Sequence, residues 1–328
     1  MDFPDLARLA SGHVEARIVQ AAIQLGVFDC LKKPTTVSAV ASSLGTEPRA
    51  TELLAYALVA IGLLQENHDR FSLAPVALKY LVKDSPQYYG DMILFDASLW
   101  SCWERLEDAV KSGRPVRPAD MYQQNPEETE RFIRAMDSLV QARGDAVHLA
   151  RDIGWHRVKK LLDIGSGPGT YPIYLCRQFP EIHATVFDLP DTLKITEKFV
   201  RQAGLQERFN LVAGDYRTDT ISGHYDVIFL SNIIHGESFQ ENERLIGKVA
   251  ANLETEGRII IKDHVLDRSR THPPVGAIFS LLMLLTTESG RCYTFEEVKS
   301  WLEKAGLKRV RQIDLPPPLT SALVIGEK

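Results

Sequence analysis

Asp163-Ile164-Gly165-Ser166-Gly167-Pro168-Gly169 sets a carboxylate ahead of three glycines that alternate with small residues. Glycine is wanted where backbone passes close to a ligand or takes φ > 0, so the stretch reads as a turn between a buried strand, residues 158–164, and a helix. The spacing is G-x-G-x-G with Thr170 in sixth place, not the G-x-G-x-x-G that seats a pyrophosphate on a helix N-terminus. A carboxylate at 163 would repel a diphosphate and suit a cation. S-adenosylmethionine carries an ammonium and a sulfonium and no phosphate, and it meets both conditions.

Two further acids follow at the same kind of position. Asp188, in Phe187-Asp188-Leu189-Pro190, closes a second predicted strand, where a carboxylate can take both ribose hydroxyls. Asp215, in Gly214-Asp215-Tyr216, closes a third, where it can accept from an adenine amino group while Tyr216 packs on the ring. Ligands of open parallel sheets bind beyond the C-terminal strand ends, near the point where strand order reverses. An acid after the second strand also suits NAD, which keeps a dehydrogenase as a rival reading.

A fourth predicted strand runs into Ser231-Asn232-Ile233-Ile234-His235-Gly236-Glu237. A histidine just past a strand end, on the cofactor rim, is a candidate general base. The next strand closes with Lys262-Asp263-His264, so Asp263 could orient the His235 ring and stabilise its imidazolium. Phenols ionise near pKa ~10, leaving about one in a thousand as anion at neutral pH. A placed imidazole is worth about 10²–10⁴-fold to such a nucleophile, and in-line positioning supplies the rest. Only Asp263 is well placed as an acid near the acceptor, so no metal is expected.

Positioning these groups needs a sheet. Strands are predicted at residues 158–164, 184–189, 209–214, 226–231, 258–265, 309–313 and 322–325. Helical stretches lie between the first five, including 193–203 and 241–253. The fold class is therefore α/β, a parallel sheet with helices on both faces. The last two strands are joined by residues 314–320, too short for a crossover helix, and should pair as an antiparallel hairpin. Ahead of this, residues 13–82 show three helices, closed by Gly26, Gly45 and Gly62, and a hairpin around Asn67-His68-Asp69, the outline of a winged helix. Residues 90–150 read as helical, with Phe95, Trp100, Trp103, Tyr122 and Phe132, and a loop at residues 114–118. Three segments result: 1–90 as a winged-helix dimerisation domain, 91–150 as a connecting layer over the acceptor pocket, and 151–328 as the cofactor-binding domain.

Charge weighs against nucleic acid. Residues 1–82 carry seven Lys and Arg against eight Asp and Glu, and a phosphate-binding face should be basic. A self-associating face fits better. A winged-helix regulator that senses a small molecule is the rival here. Over the 328 residues the net charge is −5 and charged residues make up 25%, an ordinary globular composition. Four scattered cysteines, Cys30, Cys102, Cys176 and Cys292, fit a reducing cytoplasm. The opening MDFPDLARLA lacks an apolar signal region, and the apolar run 276–285 is too short to span a bilayer.

With these residues in view, the chain resembles the caffeic-acid and hydroxyindole type of small-molecule O-methyltransferase, in a bacterial form. The resemblance rests on D-I-G-S-G-P-G, F-D-L-P and G-D-Y, and it runs over nearly the whole chain. It implies a Rossmann-like class I methyltransferase domain behind a homodimerising N-terminal domain. It implies cofactor contacts at Asp163, Gly165, Gly167, Gly169, Asp188, Leu189, Gly214, Asp215, Tyr216 and Ser231. His235 takes the family's base position and Asp263 its first supporting acid, while Phe132, Met136, Met283 and Thr287 map onto the acceptor wall. Three departures stand out. His235-Gly236-Glu237 replaces His-Asp-Trp, Ser231 replaces a cofactor-touching lysine, and Cys292 replaces the second supporting acid. Members of this fold also methylate ring carbons, and some bind the cofactor without transferring methyl.

Overall fold

The computed structural model describes residues 1–118, 123, 125–317 and 319–328, so Tyr122 and Pro318 lie outside the described residues. The chain forms two compact units, Met1–Leu99 and Trp100–Lys328.

The first unit contains α1 (Phe3–Leu25), α2 (Val27–Cys30), α3 (Val37–Leu44), α4 (Pro48–Ala60), β1 (Leu64–Asn67), β2 (Arg70–Leu73), α5 (Pro75–Tyr80) and α6 (Gly90–Ser98). Helix α1 starts well ahead of the expected residue 13. An Asp2–Asp5 capping box and Pro4 define its first turn, and its early apolar residues, Leu6 and Leu9, are exposed and leave no core periodicity to read. Glu47 caps α4, accepting from the Arg49 and Ala50 amides. His68 and Asp69 both take positive φ, 51° and 59°, as a two-residue hairpin turn requires. Phe28, Leu31, Leu58 and Phe71 form the centre of this unit's core.

The second unit opens with α7 (Trp100–Trp103), α8 (Leu106–Ser112), α9 (Pro126–Arg143) and α10 (Asp145–Asp152). The sheet region follows as β3 (Lys160–Ile164), α11 (Thr170–Gln178), β4 (His183–Asp188), α12 (Pro190–Ala203), β5 (Phe209–Ala213), β6 (Tyr225–Ser231), α13 (Phe239–Ala250) and β7 (Leu253–Asp263). It closes with α14 (Pro274–Thr286), α15 (Phe295–Lys304), β8 (Lys308–Asp314) and β9 (Ala322–Glu327). Strand order is β5-β4-β3-β6-β7-β9-β8. The first five are parallel, and β9 runs antiparallel between β7 and β8. The terminal hairpin thus inserts its last strand into the interior of the sheet.

One connection and two elements depart from the sequence pattern. No helix joins β5 to β6; residues 214–224 form turns, held where Lys248 Nζ donates to the Asp219 carbonyl at 2.9 Å. Strand β7 begins at Leu253 rather than 258, because a register shift opposite Tyr225 and Val227 lets a bent strand carry on pairing. It ends at Asp263 rather than 265, since Leu266 leaves the sheet to bridge Thr294. Helix α13 spans 239–250, not 241–253, because the Ser238–Glu241 capping box starts it earlier.

Both sheet faces are buried, as parallel strands demand. Ile164, Leu230, Ile261 and Trp301 pack on one face, and Leu161, Phe229, Ile260 and Trp155 on the other. Full burial of side chains this size contributes about 1.5–3 kcal/mol each. That core holds the strand ends rigid. Strand order reverses between β3 and β6, so the crevice falls where Asp163 and the loop after β6 stand.

Candidate active site

The glycine loop is built by backbone conformation. Gly165, Gly167 and Gly169 all take positive φ, 62°, 58° and 76°, which L side chains adopt at a cost. A Cβ at Gly165 would also collide with the Ile233 side chain from the turn after β6. Thr196 of α12 donates to the Gly167 carbonyl at 2.6 Å, and Thr170 donates to Asp137 of α9 at 2.6 Å, so two helices hold the loop.

Asp188 secures the loop from the neighbouring strand. Its Oδ2 accepts from the Gly167 amide at 2.8 Å and its Oδ1 from the Leu189 amide at 2.7 Å. Burial raises its carboxyl to about 6, against the pull of those two donors. Asp163 is buried more severely in effect. Burial pushes its carboxyl up to about 8, although Ser166 Oγ donates to Oδ2 at 2.5 Å. Its Oδ1 is buried with no hydrogen-bond partner among the described residues. Beyond β5, Gly214 is sterically required, since a Cβ there would strike the Phe187 ring. Asp215 accepts from Arg217 Nε at 3.1 Å, and although burial works to raise its carboxyl, Arg217 holds it below the usual range. The Tyr216 hydroxyl donates to Glu237 Oε1 at 2.7 Å.

His235 sits in the short turn Ile234–Gly236 after β6. Its Nδ1 lies 2.8 and 3.1 Å from the two oxygens of Asp263, the last residue of β7. Burial works to raise the Asp263 carboxyl, but the His235 charge and hydrogen bond, with the His264 amide donating at 2.8 Å, bring it below the usual carboxylate range. In the neutral imidazole, a carboxylate facing Nδ1 places the proton there and leaves Nε2 with a free lone pair. Phe279 of α14 packs edge-on against the imidazole, its centroid 4.8 Å away.

The other residues singled out in the sequence fall in several settings. Phe132 and Met136 lie half-buried on α9, whose Ile133 approaches Gly167. Met283 is buried on α14, and Thr287 closes that helix, its hydroxyl donating to the Met283 carbonyl at 2.8 Å and accepting from the Gly290 amide at 2.9 Å. Cys292 is buried, and burial raises its thiol to about 12, with the Asp263 charge adding to the effect. Ser231 pairs in register with Lys262, whose ammonium is locked to Asp145 at 2.8 Å and to Ser321 at 3.1 Å. Sequence reasoning missed Phe279, Thr196, Asp137 and the Tyr216–Glu237 bond. Phe279 lay in an apolar run that reads simply as buried helix, and the others depend on long-range pairing with no local pattern.

Fold and crevice define a class I methyltransferase: a parallel sheet with an inserted antiparallel strand, a glycine loop at the switch point, and acids rather than cations around it. Family comparison then gives the assignment. The O-methyltransferase domain family matches residues 103–308, and the O-methyltransferase dimerisation domain matches residues 7–83. The chain belongs to the O-methyltransferase family, which depends on S-adenosylmethionine. A 3-hydroxy-5-methyl-1-naphthoate 3-O-methyltransferase of Streptomyces sahachiroi is 29% identical, covering 98% of this chain and 94% of the relative. An acetylserotonin O-methyltransferase of Bos taurus is 28% identical over 93% of this chain and 92% of the relative. The structure of human N-acetylserotonin methyltransferase in complex with SAM superposes with a TM-score of 0.90 at 23% identity, covering 100% of this chain and 98% of that one.

The residues present fit such a cofactor. The orphaned Asp163 Oδ1 is a buried acceptor beside the loop, suited to a cationic donor. A Cβ at Gly167 would make only ordinary van der Waals contact with Ile133 Cδ1 at 3.6 Å, so glycine is wanted there for its positive φ rather than for space.

Proposed function

We propose that the protein transfers the methyl of S-adenosylmethionine to a hydroxyl of a small aromatic or polycyclic metabolite, with His235 as general base. The observation that carries this reading is the His235–Asp263 dyad, ionised on the acid side and set one strand from the glycine loop. When bound, the cofactor supplies an electrophilic methyl on a sulfonium. Asp163, the three loop glycines, Asp188, Leu189, Gly214, Asp215, Tyr216 and Ser231 would hold it. Both Asp188 oxygens retain acceptor capacity for ribose hydroxyls beyond their amide bonds. His235 Nε2 takes the acceptor proton, and Asp263 keeps the ring in register and stabilises the imidazolium. Phe132, Met136 and Met283 form apolar walls. Thr287 adds its methyl, because its hydroxyl is already engaged.

Naphthoate and acetylserotonin relatives both carry their accepting oxygen on an aromatic frame, which supports a phenolic acceptor from secondary metabolism. The dimerisation-domain match and the near-neutral charge of residues 1–82 support a homodimer formed through a winged-helix domain in residues 1–90, with 91–150 as the acceptor-side layer and 151–328 as the catalytic domain. Among the described residues no helix is long and apolar enough to cross a membrane. The four free thiols support a cytoplasmic setting, and the lack of a basic excess in residues 1–82 weighs against a nucleic-acid partner. Calorimetric titration with S-adenosylhomocysteine, with NADH in parallel, tests the cofactor class. Micromolar binding of the first alone supports the reading, and tight NADH binding in its place sinks it. Screening phenols and polycyclic hydroxyls for transfer then identifies the acceptor.

A further inference from the structure

The turn that carries His235 is gripped from two directions. From α13 and the segment after α14, Asn242 Nδ2 donates to the Ile234 carbonyl at 2.8 Å and the Tyr293 hydroxyl to the Glu237 carbonyl at 2.6 Å. These bonds tie the turn to the helical layer. The other grip comes from the cofactor side. Tyr216 leaves β5 next to Asp215, and its backbone carbonyl is held by Lys248. Its ring edge lies 3.8 Å from where a Gly165 Cβ would stand. Its hydroxyl reaches the Glu237 carboxylate, buried at 8% exposure two residues past His235. Ile233, on the other side of His235, is wedged against the same Gly165. The residues flanking the base on both sides therefore touch the parts of the chain assigned to the cofactor.

We propose that the Tyr216–Glu237 hydrogen bond couples the cofactor site to His235, with Glu237 as a positioning residue. The inference rests on the S-adenosylmethionine reading above. A ligand packing on Tyr216 restricts where its ring and hydroxyl can sit. The short bond hands that restriction to Glu237, and the tight turn hands it to the imidazole. Coupling of this kind needs two sites and a physical link whose geometry both bias. The base would then reach its working position only when the methyl donor is in place, which favours transfer over idle proton exchange with water.

The test follows the imidazole directly and needs no acceptor. Full-length protein is labelled with ¹³C at histidine Cε1, the His235 resonance is assigned by its loss in His235→Ala, and S-adenosylhomocysteine is added to saturation. In the wild type the resonance should move on binding. Tyr216→Phe keeps the ring and should bind the ligand with the His235 resonance unmoved. Glu237→Gln keeps an acceptor oxygen and should restore the movement that Glu237→Ala loses. Should Glu237→Ala fail to fold by circular dichroism, Tyr216→Phe and Glu237→Gln still decide the matter. An equal shift in Tyr216→Phe overturns the coupling, and so does an unmoved resonance in ligand-saturated wild type. Failure of wild type to bind S-adenosylhomocysteine at all instead brings down the cofactor reading.

Discussion

Asp163 at the end of β3 and Asp263 at the end of β7 are both 1% exposed, yet they reach opposite charge states. Burial holds the Asp163 carboxyl near 8, so at neutral pH it keeps its proton. Asp263 has His235 against it and stays ionised. The catalytic half of the sheet edge carries its hydrogen-bonding partner within the chain, and its acid is ionised before any ligand arrives. On the cofactor half Asp163 has no cation to pair with among the described residues, so its charge waits on a cationic ligand. Buried charges are tolerated only when paired, and here the partner differs in origin.

Breaking the catalytic pair should have the largest effect. His235→Ala should lower kcat by about 10²-fold or more, and Asp263→Asn should act in the same direction. Calorimetry with S-adenosylhomocysteine should show nearly unchanged affinity in both, and equal turnover would mean that positioning alone drives transfer. Asp188→Ala should act on the other half. It strips the acceptor from two backbone amides and weakens S-adenosylhomocysteine binding by about 2 kcal/mol, near thirtyfold in Kd. An unchanged Kd would remove Asp188 from the cofactor site.

Asp163→Asn sharpens the contrast in charge. The folded carboxyl, near 8, binds its proton more tightly than the unfolded one, near 3.8. Between those values folding stability therefore falls as pH rises, by at most about 1.4 kcal/mol per unit. Asparagine has no proton to lose, so the variant should melt higher than wild type above about pH 8, with the difference vanishing near pH 4. It should also bind S-adenosylmethionine more weakly. Because a cation beside Asp163 expels its proton, wild-type binding at neutral pH should release protons, measurable by calorimetry in buffers of different ionisation enthalpy, and Asp163→Asn should release fewer. The smallest effect is expected from Glu47→Ala in the first unit, which removes the cap of α4 and should cost about 1 kcal/mol of stability. Kd for S-adenosylhomocysteine should not change, which separates loss of stability from loss of site.

Much of the framework is legible in residue order. Short, largely continuous apolar runs place β3, β4, β6 and β9 within a residue or two, and Asp188 and Asp263 stand at the last residues of their strands. Glycine spacing marks a turn that does take positive φ at all three positions. The helix-free passage from β5 to β6 was not legible, because a turn-rich segment and a short helix look alike without knowledge of what they cross. Nor were the settings of Ser231, opposite a locked Lys262, and of Thr287, whose hydroxyl is used up within its own turn.

Sequence by itself determined the ends of β3, β4, β5 and β6 to within a residue, the left-handed glycines and the acid or imidazole at or near each of those ends, since these follow from backbone sterics and local apolar patterning. Tertiary structure alone decided which acid is charged, which nitrogen of His235 carries the proton, and that Tyr216 reaches Glu237. Those outcomes depend on desolvation and on partners brought together from distant strands, and neither quantity is written in the order of neighbouring residues.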